Sequence, residues 1–287
     1  MRLVRRLATG LRLTRDSLGV LRRYPRLVVF PLLGGTASLL LWAGLYVAVV
    51  RADLVTGWAG VVALFGTYFL TTFVTAFFTA ALVAAVAEAF RGTEPTLQEG
   101  VAAAWAKRRS LAAWAVLSAG VGVILRTLER SESLLSRYAA GLFAVGWTLG
   151  TFFVVPVIVF EDGSTRGLIG RSAGRFRGTW GETLSSNFGI GLLQLVGWLA
   201  GVAAVLAVGV GLFGLVPWVG TTTVLVGVVA VSVGVYLVGR TVQGIVKTAL
   251  YVYATEGTVP QAFATFDFET LEGRTDSESD EAESTAV

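Results

Sequence analysis

Polar and apolar positions in this chain are sorted into long blocks. Residues 27–50, 54–87, 110–125, 138–160 and 183–239 contain no Asp, Glu, Lys or Arg. An α-helix rises about 1.5 Å per residue and a bilayer core is about 30 Å thick, so about 20 apolar residues suffice to cross it. The first four blocks each predict one span. The fifth holds 57 residues and predicts two, joined at Pro217-Trp218. Six spans follow, over about 27–50, 59–87, 110–128, 138–160, 188–213 and 220–240, the last running on at the interface to 254. Unpaired backbone groups are expensive in lipid, which makes each span a helix. A membrane barrel would show short alternating segments instead. The fold class is therefore all-α, a polytopic membrane helix bundle.

The stretches between blocks are patterned too. Residues 1–26 carry eight arginines interleaved with Leu3, Leu7, Leu11, Leu18 and Leu21. That pattern predicts a basic amphipathic helix lying on the membrane surface. Its basic region is too long for a secretory signal, and a span-length run follows it, so an uncleaved first span is expected. In the polar loop 88–109, Thr96-Leu97-Gln98-Glu99 reads as a capping box opening a short helix through Trp105. Residues 161–182 interleave Arg166, Arg171, Arg175 and Arg177 with Leu168, Ile169 and Phe176, a second basic amphipathic segment. The segment 255–287 is acidic and is expected to be largely disordered.

Charge then fixes an orientation. With six spans, one side receives both termini and the loops 88–109 and 161–182. That side holds 19 of the basic residues against 4 on the other. Positive residues collect on the cytoplasmic side, so both termini are expected to be cytoplasmic, in a multi-pass protein of the cell membrane. After spans 2, 4 and 6, Gly92, Gly163 and Gly257 are each followed by Thr or Ser. Together with the basic segments this suggests three units, each a surface helix followed by a helical hairpin, against the plainer reading that all helices leaving a membrane end alike.

Composition removes chemistry more than it supplies it. The chain is 54% hydrophobic and 15% charged, with no cysteine and no histidine. Disulfides, thiolate nucleophiles and cysteine metal sites are excluded, and so is the usual neutral-pH acid–base residue. No GxxxxGK[ST] phosphate loop is present. The expectation is a protein that is not an enzyme and has no cofactor or metal. Two lysines against 21 arginines, with an acidic tail, fit a GC-rich halophile.

Two polar groups stand out inside or beside the spans. Thr67, Thr71, Thr75 and Thr79 recur every four residues and share a slowly drifting face of span 2. They read as close helix packing or as the lining of a path. Arg240, Gln243 and Lys247 share a face at the inner end of span 6. With Arg171, Arg175 and Arg177 they are the positions expected to meet lipid headgroups, against the plainer reading of a positive-inside flank. Glu88 and Glu161 lie at span ends, where arginines are in reach. Gly146-x3-Gly150 and Gly197-x3-Gly201 fit small-residue packing.

Phe152-Phe153-Val154-Val155-Pro156-Val157, Arg171-Ser172, Trp180-Gly181-Glu182 and Asn187-Phe188-Gly189-Ile190-Gly191 resemble segments of an uncharacterised six-span membrane family. Ala249-Leu250-Tyr251-Val252-Tyr253-Ala254, with Gly257 and Pro260, resembles that family's C-terminal end. The family is a domain of unknown function common in haloarchaea and actinobacteria. The resemblance covers most of 10–265. It implies the six-span fold and carries no catalytic residues. The function expected is a membrane-organising or lipid-interacting scaffold, with a transporter or permease component as the alternative. The partners expected are anionic lipid headgroups of the cytoplasmic leaflet and an unidentified membrane protein, with no nucleic acid.

Overall fold

The computed structural model describes residues 14–51, 57–129, 134–161, 167–180, 186–214, 216–257 and 263. Among them there is helix and turn and no strand. Helix α1 covers 14–23 and is followed by a 3-10 turn, Pro25–Val28. Then come α2 (Val29–Arg51), α3 (Gly57–Phe90), α4 (Leu97–Ala106), α5 (Arg108–Glu129) and α6 (Leu134–Gly150). The chain continues as α7 (Val154–Phe160), α8 (Leu168–Trp180), α9 (Ser186–Phe213) and α10 (Pro217–Glu256). Six stretches are long and apolar enough to cross a membrane: Pro25–Ala48, Gly57–Phe90, Arg108–Glu129, Tyr138–Phe160, Gln194–Phe213 and Pro217–Glu256. A short helix precedes each long pair: α1 before α2–α3, α4 before α5–α6, and α8 before α9–α10. Residues 1–13, Gly163 and the tail beyond Phe263 lie outside the described residues.

Local sequence explains the breaks. Pro25 has no N–H to continue α1, and the chain turns inward there. The fourth stretch is interrupted by a turn at Thr151–Phe153. Pro156 is the reason: its ring excludes a helical carbonyl one turn earlier, at Phe152. The N–H of Phe153, freed by the break, donates to Ser172 Oγ at 3.0 Å from the neighbouring α8, and both residues are fully buried. Thr96 caps α4 by accepting from the N–H of Glu99 at 3.2 Å. The Glu99 carboxylate accepts in return from the Thr96 hydroxyl at 2.5 Å rather than from its backbone. Gly92 and Gly257 end α3 and α10 with φ of +81° and +64°, a left-handed conformation that glycine adopts without Cβ strain.

The packed core lies at one end of the bundle. Helix α3 is central and packs on α2, α4, α5, α7 and α10. Its second half, with Ala80, Ala81 and Val86, meets Leu27, Phe30, Leu111, Val154, Val157, Ile245 and Ala249, all buried. This is the arginine-rich end, where α1, α4 and α8 also dock. Helix α1 commits Ser17, Val20 and Leu21 to the core and leaves Arg15, Arg22 and Arg23 exposed. At the opposite end large apolar side chains point outward, among them Leu39, Tyr46, Trp58, Leu142 and Trp218. In lipid this costs little, because hydrocarbon is as apolar as the side chains.

Helices α9 and α10 form the tightest pair. Glycines on each receive valines from the other. Val231 fits at Gly201, where a Cβ would stand 2.7 Å from its Cγ1, and Val205 fits at Gly227, with 2.6 Å. Trp198 Nε1 donates to Ser232 Oγ at 2.9 Å across the same seam. Of the glycine pairs noted in the sequence, Gly201 is a close-packing position. Gly197 and Gly146 have nothing within 4 Å of a Cβ, and Gly150 has only Ile169 at 3.8 Å.

Candidate functional site

A cavity of about 330 Å³ opens between α2, α3 and α10, with Trp114 of α5 and Val155 of α7 at its edge. It joins the two polar groups that the sequence placed on separate helices. Thr71, Thr75 and Thr79 line it from α3, along with Thr72. Arg240, Gln243 and Lys247 line it from α10, along with Tyr236 and Gly244. Thr67 lies one turn beyond the lining and donates its hydroxyl to Ala63 O at 2.7 Å.

Helix α2 makes room by what it lacks. Gly34, Gly35 and Ser38 form its wall of the cavity. A Cβ on Gly34 would stand 2.9 Å from Phe78 Cβ, so α2 approaches α3 closely only with glycine there. Tyr236 to Lys247, like Thr71 to Leu82, is eleven helical steps, so the cavity runs about 16 Å along the axis. That is about half the thickness of a 30 Å hydrocarbon core.

Its electrostatics are one-sided. Among the described residues the lining holds Arg240 and Lys247 and no Asp or Glu. Among the described residues neither cation has a carboxylate partner. Lys247 is half-buried, and its Nζ rests 4.5 Å from the centre of the Phe152 ring. That cation–π contact replaces part of its lost hydration. Arg240 is exposed to the cavity side. Thr79 donates its hydroxyl to Thr75 O at 2.7 Å, whereas the buried Thr71 Oγ1 has no partner. The site thus presents a guanidinium and an ammonium, which suits an oxyanion.

Gln194 of α9 is a polar residue that the sequence reading passed over. Gln243 Nε2 donates to Gln194 Oε1 at 3.4 Å. The Gln194 amide reaches across Gly239: its Nε2 lies 1.3 Å from where a Cβ on Gly239 would stand. Glycine at 239 is what lets α9 contribute a polar group beside the cavity. The available signal was a lone glutamine in a 57-residue charge-free block.

The other expected headgroup positions are placed differently. Arg171 Nε pairs with Glu161 Oε2 at 3.0 Å, and Tyr251 donates its hydroxyl to Glu161 Oε1 at 2.9 Å. Lys107 Nζ donates to the Glu161 carbonyl at 3.4 Å. This cluster ties the α7–α8 turn to α10 and α4–α5, so Arg171 is engaged within the protein. The side chains of Arg175 and Arg177 lie outside the described residues. Glu88 pairs with Arg91 at 2.6 Å on the surface.

Fold and cavity together define a class: an all-helical protein with six helices apolar enough to cross a membrane, enclosing a cation-bearing cavity. Within that class the chain belongs to a family of unknown function, DUF6159, whose model matches residues 58–261. The match spans the cavity walls on α3 and α10, whereas α1 and α2 precede it. No curated protein and no solved structure matches the chain.

Proposed function

We propose that this chain is a non-enzymatic integral membrane protein that holds the phosphate of an anionic lipid in the cavity between α2, α3 and α10. On this reading it is a lipid-binding scaffold of the cell membrane, with its arginine-rich face and both termini cytoplasmic. The observation that carries the reading is the uncompensated pair Arg240 and Lys247 on one cavity wall. A charge at membrane depth is costly and is kept where something compensates it. A phosphate supplies that compensation: Arg240 offers a planar fork for two oxygens and Lys247 a point charge. The exposed arginines of α1 add to it, since each basic residue near an anionic surface contributes about 1 kcal/mol of attraction.

A second reading, transport of a small anion, draws on the depth of the cavity, which reaches Thr71 near the middle of α3. One experiment separates the two. The full-length protein in detergent is titrated calorimetrically with short-chain phosphatidylglycerol and, separately, with inorganic phosphate. The lipid is expected to bind, and the double variant Arg240→Gln/Lys247→Gln to bind it at least tenfold more weakly. Equal lipid affinity in the double variant ends the proposal. Tight binding of inorganic phosphate, with its release from proteoliposomes down a gradient, puts transport in its place.

A further inference from the structure

A second concavity, of about 570 Å³, lies on the neighbouring side of α10 and is bounded by α1 and α9. Leu18, Val235, Val238 and Val242 form its apolar walls. Two glycines hollow it out. Gly197 on α9 and Gly234 on α10 have nothing within 4 Å of where a Cβ would be, so the space beside them is open rather than filled by a neighbouring helix. Gln194 also borders it, and its bond to Gln243 stands between this groove and the polar cavity. At the α1 end is Arg15, exposed and without a carboxylate partner among the described residues.

We infer that this groove is a phospholipid site that takes one acyl chain along Gly197 and Gly234 and sets the lipid phosphate on Arg15. The inference rests on the lipid-binding reading of the protein and adds a second, separate position. Three observations select this occupant. The walls are aliphatic, so the occupant is a hydrocarbon. Among the described residues the only charge at the rim is a cation, so its polar end is anionic. The cation belongs to α1, which lies at the arginine-rich end of the bundle, the height at which a lipid of that leaflet carries its phosphate. The volume falls within the range of about 300–1,000 Å³ usual for ligand sites.

The test uses the full-length protein, its lipid retention read by native mass spectrometry after equilibration with phosphatidylglycerol or phosphatidylcholine. Gly197→Leu and Gly234→Leu put side chains into the groove. Both positions are open, and each change removes a helix-interior glycine, which favours the folded helix. Thermal melting of each variant confirms that it is folded. Either variant is expected to lower phosphatidylglycerol retention at least tenfold. Arg15→Gln is expected to cut the preference for phosphatidylglycerol over phosphatidylcholine several-fold while the chain still binds. Retention at the wild-type level in folded Gly197→Leu/Gly234→Leu overturns the groove. Loss of all bound lipid in Arg240→Gln/Lys247→Gln alone also overturns it and leaves the cavity reading standing. Loss in the glycine variants, with none in the Arg240–Lys247 double variant, supports the groove and removes the cavity reading. An unchanged lipid preference in Arg15→Gln refutes the assignment of the phosphate to that residue.

Discussion

Gly239→Ala should change sign with its neighbour. In the interior of a helix, glycine is worse than alanine by about 1 kcal/mol, so the substitution alone favours α10. Here the new methyl would occupy the place of the Gln194 amide, whose Nε2 lies 1.3 Å from the ideal Cβ position. No small relaxation removes an overlap of that size, so the Gln194 side chain must swing away. Its bond to Gln243 is then lost, at about 1 kcal/mol, and leaving a half-buried amide without a partner costs about 1–2 kcal/mol, the lower part of the range for a buried group. With Gln194 present, Gly239→Ala should therefore destabilise by roughly 1–2 kcal/mol after the helix gain is subtracted. With Gln194→Ala in the background the obstacle is gone, and the same change should stabilise by about 1 kcal/mol. The coupling is roughly 2–3 kcal/mol, at the upper end for residues in contact. Reversible unfolding in mixed detergent micelles, run on the four proteins of the cycle, measures it. Additive effects, or a stabilising Gly239→Ala in the presence of Gln194, would refute the placement of α9 against α10.

Three further outcomes follow from the same geometry. Ser172→Ala removes the acceptor of the buried Phe153 N–H and should cost about 1–3 kcal/mol in the same assay, whereas Ser172→Thr should cost less if the methyl is accommodated. Thr96→Ala removes the cap of α4 and should cost about 1 kcal/mol, with Thr96→Ser near wild type. Glu161→Gln keeps an acceptor for Tyr251 but removes the carboxylate charge that the partly buried Arg171 meets at 3.0 Å; a loss of about 1–2 kcal/mol that shrinks in high salt is expected, since the pair is neither fully exposed nor fully buried.

The helices were legible because hydrocarbon leaves one signature: the absence of charge over about 20 residues. The turn at Thr151–Phe153 had a visible cause in Pro156, but apolarity alone reads 138–160 as one span. Which ends pack and which face lipid was not legible, since Leu39, exposed, and Leu111, buried, belong to equally apolar blocks. In water their environments would differ in polarity; in lipid they do not. The cavity was half legible. Helical periodicity put Thr71, Thr75 and Thr79 on one face and Arg240, Gln243 and Lys247 on another. Their meeting depends on the small residues Gly34, Gly35 and Ser38 of a third helix, a tertiary fact that no local pattern carries. Gln194 has no periodic companion, so nothing local marked it.

Helix α10 has 40 residues and is therefore about 60 Å long, twice a hydrocarbon core. It is unbroken, clamped between Thr241 and Tyr251 by the core, and over its first half it packs mainly on α9 and is otherwise largely exposed. The first half of α10 and its partner α9 make a paired arm, joined to the rest of the bundle at the clamp. In a bilayer, thickness would act on that arm, because a thinner membrane demands more tilt of long helices. Tyr236 and Arg240 ride on that arm just beyond the clamp, facing α2 and α3. In a membrane, the width of the space around Arg240 would then follow the thickness of the bilayer, and membrane composition would act on the site mechanically.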